Sequence, residues 1–181
     1  VKPRTYSTTG IILARKNYGE ADRILNLYTK DFGRISLIAK GVRKPTSRKR
    51  GHIEIFSLLK LTAASGKGLD ILIEAELIDS FSEIRKDLNK VSLAYFFMEV
   101  IGKMTHEGEK HEELFYLILK NLNRLKDDQR LKTLKDAYIV DVLVLLGFWP
   151  KGEKLINPED KLEEITERHM SSKRVGKLLV S

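Results

Sequence analysis

Two hydrophobic rhythms divide the chain. Over the first eighty residues apolar and polar positions alternate in short runs, the period of half-buried strands. Thr8–Ala14 is the first such run, with Ile11, Ile12 and Leu13 near its centre. Asn17-Tyr18-Gly19 gives a turn. Arg23–Thr29 follows, with Leu25, Leu27 and Thr29 opposing Ile24, Asn26 and Tyr28. Asp31-Phe32-Gly33 turns tightly into a third strand, consistent with a hairpin. In it Ile35, Leu37 and Ala39 alternate with Arg34, Ser36 and Lys40, and Gly41 ends it. A fourth strand is predicted over Ile53–Ala63. After a Ser65-Gly66-Lys67-Gly68 turn, a fifth is predicted over Leu69–Ile78. Ile71, Ile73, Ala75 and Leu77 lie on one of its faces, Glu74 and Glu76 on the other. Short strands without helical period predict a small closed or sandwiched β-unit. A five-stranded OB-type barrel is the economical form, and an SH3-like barrel fits the same pattern.

Beyond residue 80 the period lengthens. Ser80 and Glu83 have capping-box spacing. Ala94, Phe97, Met98 and Ile101 recur as on one helical face. So do Leu114, Phe115, Ile118, Leu122 and Leu125, and then Leu131, Leu134, Tyr138, Val142 and Leu145. Gly147 and Pro150 stop the third helix. Asn157-Pro158 opens a fourth, with Asn157 as cap, and Lys173–Val180 is read as a last short one. Strands first and helices afterwards predict an α+β protein of two segregated units: an OB-fold barrel over residues 1–80 and an α-helical bundle over 81–181.

Charge sharpens this division. The net charge of +8 is unevenly placed. Residues 1–60 hold 14 Lys and Arg against 4 Asp and Glu, a balance of +10; the rest hold 19 against 21, a balance of −2. A basic surplus confined to the N-terminal third points to a nucleic-acid partner. Its densest part is the segment after the third strand. There Arg43, Lys44, Arg48, Lys49 and Arg50 occur with no acidic residue among them, around a Pro45-Thr46-Ser47 turn. Such a patch attracts phosphate backbones without choosing a sequence.

Other chemistries find little support. The chain has no cysteine, which excludes disulfides and thiolate metal sites and favours a reducing, cytoplasmic location. No apolar run approaches the roughly 20 residues of a membrane span, and the first residues lack the apolar stretch of a signal peptide. His106 and His111 are spaced wrongly for two ligands on one helical face, and His52 and His169 are isolated. The Ser65-Gly66-Lys67-Gly68 run lacks the preceding glycine and following helix of a phosphate loop. No catalytic constellation stands out, so a non-enzymatic role is expected. Trp149, between Phe148 and Pro150, suits either packing or a partner groove.

These residues also carry a resemblance. GIILARKNYGEADRILNLYTKDFGRISLIAKGVRK (residues 10–44) and SRKRGHIEIFSLLKL (residues 47–61) resemble the N-terminal domain of the RecO family of DNA-repair recombination mediators. The Gly-Glu-Ala-Asp-Arg turn, Leu-Tyr-Thr, the Phe-Gly-Arg turn and Ala-Lys-Gly-Val-Arg stand in the family's order and spacing. Val140–Pro150 fits the family's helical part. Ser172-Lys173-Arg174 before Leu178 and Leu179 is similar to its C-terminal signature. The resemblance implies an OB-fold followed by a helical domain. It also implies binding of single- and double-stranded DNA, annealing of complementary strands and cooperation with RecR. Finally, it implies help for RecA in displacing single-stranded-DNA-binding protein. Many relatives insert a four-cysteine zinc module after a glycine-aromatic-x-proline segment. Here Gly147-Phe148-Trp149-Pro150 runs almost directly to Asn157, so neither zinc nor any other cofactor is carried over.

The expected phosphate contacts are Lys40, Arg43, Lys44, Arg48, Lys49 and Arg50, with Arg15, Lys16 and Arg34 in support. Tyr18 and Tyr28 are candidates for stacking or for structural roles. Lys132 and Lys135 lie three apart on the third helix. Near them Tyr138, Ile139 and Val142 belong to more apolar surface than one buried stripe needs. Core packing fits that excess, and so does a groove for the acidic, Phe-terminated tail of single-stranded-DNA-binding protein. A protein-interaction adaptor and an RNA-binding OB protein are the competing functions.

Overall fold

The alternation of the first eighty residues closes on itself. In the computed structural model, which describes residues 3–167, five strands form a barrel: β1 Thr5–Tyr18, β2 Asp22–Thr29, β3 Gly33–Ala39, β4 Leu58–Ala64 and β5 Asp70–Asp79. Their order round the barrel is β1-β2-β3-β5-β4. Neighbours are antiparallel except β3 and β5, which run parallel. This is the OB-type barrel. Ile12, Leu25, Leu27, Ile35, Leu37, Leu59, Leu61 and Leu72 fill its interior. Burying each contributes about 1.5–3 kcal/mol. The β2–β3 turn is fixed by Thr29, whose hydroxyl donates to the Gly33 carbonyl at 2.8 Å and accepts from Phe32 N–H at 3.1 Å.

Three strands differ from expectation: β1 runs on to Tyr18, with Asn17 and Tyr18 pairing with Arg23 and Asp22 instead of turning, and β4 and β5 differ for local backbone reasons. The predicted fourth strand starts at Ile53, but β4 begins only at Leu58. Phe56 has φ 58°, a left-handed conformation that no strand continues through. Its N–H donates to the Ile12 carbonyl at 2.8 Å, and Ile12 N–H donates to Ser57 at 3.2 Å. The segment is thereby tied to β1, where the pairing with β2 shifts between Ile12 and Ala14. In β5 the single predicted face is broken. Thr62 pairs with Glu74 but Ala63 pairs with Leu72, leaving Ile73 as a bulge. Ala75 and Leu77 pack on the core as expected, yet Leu72 faces inward in place of Ile73, which is exposed.

The second half forms α1 Ser82–Arg85, α2 Leu88–Met104, α3 Glu112–Asp127, α4 Leu131–Leu145 and α5 Pro158–Thr166. The capping box at Ser80 and Glu83 does not start a long helix. Phe81, buried and at φ 53°, precedes a single turn. The long helix α2 starts instead beside Asp87, whose carboxylate accepts from Asn89 N–H at 2.9 Å and Lys90 N–H at 3.4 Å. Asn157 does occupy the cap position of α5, with Pro158 first in the helix, but its side chain makes no capping bond. Gly147, at φ 82°, ends α4 with the Phe148 N–H returning to the Leu143 carbonyl at 2.8 Å. The predicted Lys173–Val180 helix and the Ser172-Lys173-Arg174 signature lie outside the described residues. Among those described, no helix is long and apolar enough to cross a membrane.

The chain divides into two compact units, but not cleanly at residue 80. Thr105–Glu112 belongs with the barrel, while Phe81–Met104 and the residues from Glu113 onward form the other unit. The reason is a strap along β3 and β2. Gly108 N–H donates to the Arg34 carbonyl at 2.8 Å, and Ser36 N–H donates to the Glu107 carboxylate at 3.0 Å. The Tyr28 hydroxyl both donates to the His111 carbonyl, at 3.2 Å, and accepts from its N–H, at 3.1 Å.

Candidate functional site

The basic segment between β3 and β4 is an anchored loop at one mouth of the barrel. Val42 and Ile53 are wholly buried within the barrel core, one near each end of the loop. Gly41 N–H donates to Asp22 at 2.7 Å and Arg43 N–H to the Ala21 carbonyl at 2.9 Å, which fix its start to the β1–β2 turn. Successive tight turns follow, through Lys44 N–H to Gly41, Ser47 N–H to Lys44 and His52 N–H to Lys49. The Lys49 ammonium donates to the carbonyl of Ile73, the bulged residue of β5. The cations are therefore displayed from a pinned backbone, which lowers the ordering cost of any ligand they hold.

The predicted cations divide into three groups. Lys16, Lys40, Lys44, Arg48 and Arg50 are exposed, and among the described residues none of their side chains has a hydrogen-bond or ion-pair partner. Arg15, Arg43 and Lys49 are half-buried and also hold the loop. Arg15 donates to the Ile53 carbonyl at 3.1 Å and to Glu54 at 2.8 Å; Arg43 reaches the Gly19 carbonyl at 3.3 Å. Arg34 stands apart. It pairs with Tyr28 in the register and bridges to Glu107 in the strap, at the opposite end of β3 from Lys40. Six residues of strand separate the two by roughly 20 Å. The structure does not bring Arg34 into the basic mouth.

Arg23 was missed by charge-run reasoning because it stands alone in the sequence. In the register it lies between Asn17 and Ala39, at the mouth and on the inward parity. Burial holds its guanidinium below the ordinary arginine value, and the positive charge of Arg15 lowers it further; Glu54 opposes this, while Arg43 and Arg50 add to it. Strand pairing, not proximity in sequence, is the signal that finds it.

The flanks of the mouth differ. The outer face of β2 and β3 pairs Ile24 with Ile38 and Asn26 with Ser36, whose hydroxyl donates to Asn26 Oδ1 at 2.7 Å. Tyr28 is wholly buried under the strap, with its hydroxyl pKa raised chiefly by that burial, so it offers no stacking surface. Tyr18 is 54% exposed at the end of β1. On β5 the exposed Glu74 and Glu76 lie opposite Thr62 and the exposed Lys60, so that wall carries both signs of charge.

The apolar residues expected at a groove on the third helix, α4, lie inside the helical unit. Tyr138, Ile139 and Val142 are wholly buried. The Tyr138 ring lies 4.0 Å from that of Phe97, and its hydroxyl donates to the Phe97 carbonyl at 2.8 Å. Tyr138, Ile139, Val142 and Leu143 of α4 are core, while Val140, Val144 and Leu145 are half-buried. Lys135 is paired with Glu159 at 3.1 Å and sits 4.5 Å over the Phe96 ring, while Lys132 is exposed. Trp149 is half-buried, donating to the Glu153 carbonyl at 3.1 Å. A four-cysteine zinc module does not fit this chain. It has no cysteine, and residues 146–157 between α4 and α5 contain no histidine.

Comparison with known proteins agrees with both halves of this architecture. Residues 4–81 match the family described as Recombination protein O N terminal, and residues 85–164 match Recombination protein O C terminal. The chain is 36% identical over 151 residues to the DNA repair protein RecO of Pelotomaculum thermopropionicum, covering 83% of this chain and 59% of that protein. It is 32% identical over 162 residues to the RecO of a Dehalococcoides mccartyi strain, covering 90% and 64%. With the RecO of a Roseiflexus species it shares 32% over 151 residues, covering 83% and 53%. The chain thus spans about three fifths of the length of the curated relatives it matches. With the two family models matching consecutive parts of the chain in their own order, it belongs to the RecO family.

Proposed function

We propose that the basic mouth binds the sugar-phosphate backbone of DNA and that the chain serves as a recombination mediator in DNA repair. One observation carries this. Lys16, Lys40, Lys44, Arg48 and Arg50 are exposed without acidic partners, and the loop bearing most of them is pinned to an OB barrel. Such a surface neutralises phosphates and leaves base edges free. Two complementary strands held by their backbones repel less and remain able to pair, which is the physical basis of annealing. Family membership extends the proposal to RecR and single-stranded-DNA-binding protein as partners, and indirectly to loading of RecA. A non-enzymatic role at the nucleoid in the cytoplasm follows from the same reading.

The test is equilibrium binding to single-stranded DNA, duplex DNA and RNA of matched length at several salt concentrations. The proposal expects DNA binding whose log K falls linearly with log salt, by about 0.7 per phosphate contacted on single strands. Tighter binding to RNA than to either DNA would favour an RNA-binding protein. No binding at low salt would leave the loop as a solvated surface and favour an adaptor.

A further inference from the structure

The mouth of the barrel also holds an unsatisfied arginine. Arg23 donates through Nε to Asn17 Oδ1 at 3.3 Å, but its Nη1 is buried and has no hydrogen-bond partner among the described residues. Register places it on the inward parity beside Asn17 and Ala39, with Arg15 on the same face of β1 two residues before Asn17. The neighbouring acids are already engaged. Glu54 receives Arg15 at 2.8 Å, and Asp22 receives the Gly41 N–H at 2.7 Å. A second orphan, His52 Nδ1, lies one residue before Ile53, whose carbonyl also accepts from Arg15.

A buried charged donor without an acceptor is costly, and three further guanidiniums near it make matters worse. The electrostatics agree: Arg15, Arg43 and Arg50 all disfavour the charge on Arg23, against Glu54 alone. Arg15 shares the inward face of β1 two residues before Asn17, and Arg43 is tied to the β1–β2 turn through the Ala21 and Gly19 carbonyls, so the desolvated N–H lies among cations and suits a multivalent anion. A phosphate group meets that need, since its oxygens accept from several guanidinium forks at once.

We propose that Arg23, with Arg15 and Arg43 beside it, forms a discrete socket beneath the basic loop that takes a single phosphate group. The exposed lysines then act as a diffuse field, and the socket fixes where on the barrel one phosphate sits. The inference rests on the proposed function only for the source of that phosphate.

The test begins without DNA. The full chain is melted in chloride buffer and again with inorganic phosphate at matched ionic strength. The wild-type melting temperature rises with phosphate, because binding to the folded state alone stabilises it. Arg23→Gln removes an uncompensated charge, so it melts in chloride no lower than the wild type and shows no rise with phosphate. Arg23→Lys keeps the charge but loses the fork, and shows a reduced rise. Absence of the rise in the wild type, an equal rise in Arg23→Gln, or an Arg23→Gln protein that melts well below the wild type in chloride would each overturn the socket. The last would make Arg23 a structural strut.

Oligonucleotides with and without a 5′-phosphate then identify the source. Equal loss of affinity for both in Arg23→Gln, about tenfold with a salt slope lower by about 0.7, assigns the socket to a backbone phosphodiester. Loss confined to the phosphorylated end assigns it to a strand terminus. Loss for neither, with the phosphate response present in the wild type and absent from Arg23→Gln, assigns it to a free phosphate ion. If the wild type binds no DNA but keeps its phosphate response, the DNA proposal fails and the socket stands.

Discussion

The lysines and arginines of the barrel mouth and those of the helical unit are chemically alike but differently placed. In the helical unit many have an acid within reach: Lys103 meets Glu99 at 2.8 Å, Lys135 meets Glu159 at 3.1 Å and Lys161 meets Glu164 at 3.0 Å. Lys90 is buried and donates to the Lys126 carbonyl at the end of α3, at 2.7 Å. These cations serve the fold, each exposed pair contributing about 0–1 kcal/mol. At the mouth Lys40, Lys44, Arg48 and Arg50 follow one another around tight turns with no acid in the segment. Their field is unspent. Cation count alone does not distinguish the two units; the spacing of acids does, through i, i+3 and i, i+4 pairs on helices against none in the loop.

The comparison is most sharply drawn by a core mutation in the helical unit. Tyr138→Ala removes a wholly buried ring stacked on Phe97 together with its hydroxyl bond. It is expected to cost about 3–5 kcal/mol in stability. DNA affinity of the protein that remains folded should not change. Urea titration read alongside binding at low denaturant checks both halves. A stable Tyr138→Ala protein that has lost affinity for a peptide partner would instead restore the groove on α4.

A surface mutation gives the smaller counterpart. Lys135→Ala deletes the Glu159 pair and the contact over Phe96. The expected loss is about 1 kcal/mol, partly from the cation–π contact. Melting curves at low and high salt should show it shrinking as salt rises. A loss above 3 kcal/mol would mean that the helical cations are as consequential as the core.

Much of this was legible beforehand, and the failures share a cause. Alternation located the strands because a residue's face follows from its parity, and apolar stripes located α3 and α4 for the equivalent helical reason. Parity fails at a bulge: Ile73 fits the apolar pattern, yet the pairing steps from Glu74 to Leu72 and pushes it out. The start of β4 failed because Phe56 adopts a left-handed conformation that its side chain does not advertise. The capping-box spacing at Ser80 misplaced the long helix because only a single turn follows Phe81, and Asp87 accepts from the first N–H groups of α2 further on. At the site, the charge run found the loop because its members are consecutive. It grouped with the loop Arg34, which strand length carries to the other end of β3, and it omitted Arg23, which strand pairing brings in. The strap went unforeseen for the same reason: Gly33 leaves no room for a side chain, since a Cβ there would lie 2.0 Å from the Glu109 carbonyl oxygen, and nothing nearby in sequence says so.

The central claim is that the uncompensated cations of the mouth, and not those of the helices, carry nucleic-acid binding. The most direct measurement is the salt dependence of single-stranded DNA binding for three proteins: the wild type, the triple variant Arg48→Ala, Lys49→Ala, Arg50→Ala, and the double variant Lys132→Ala, Lys135→Ala. The account predicts that the loop variant binds more weakly and that its log K against log salt slope falls by about 2, roughly 0.7 for each phosphate contact removed. It predicts an unchanged slope for the helical variant. An unchanged slope in the loop variant, with the slope lost from the helical one, would contradict it.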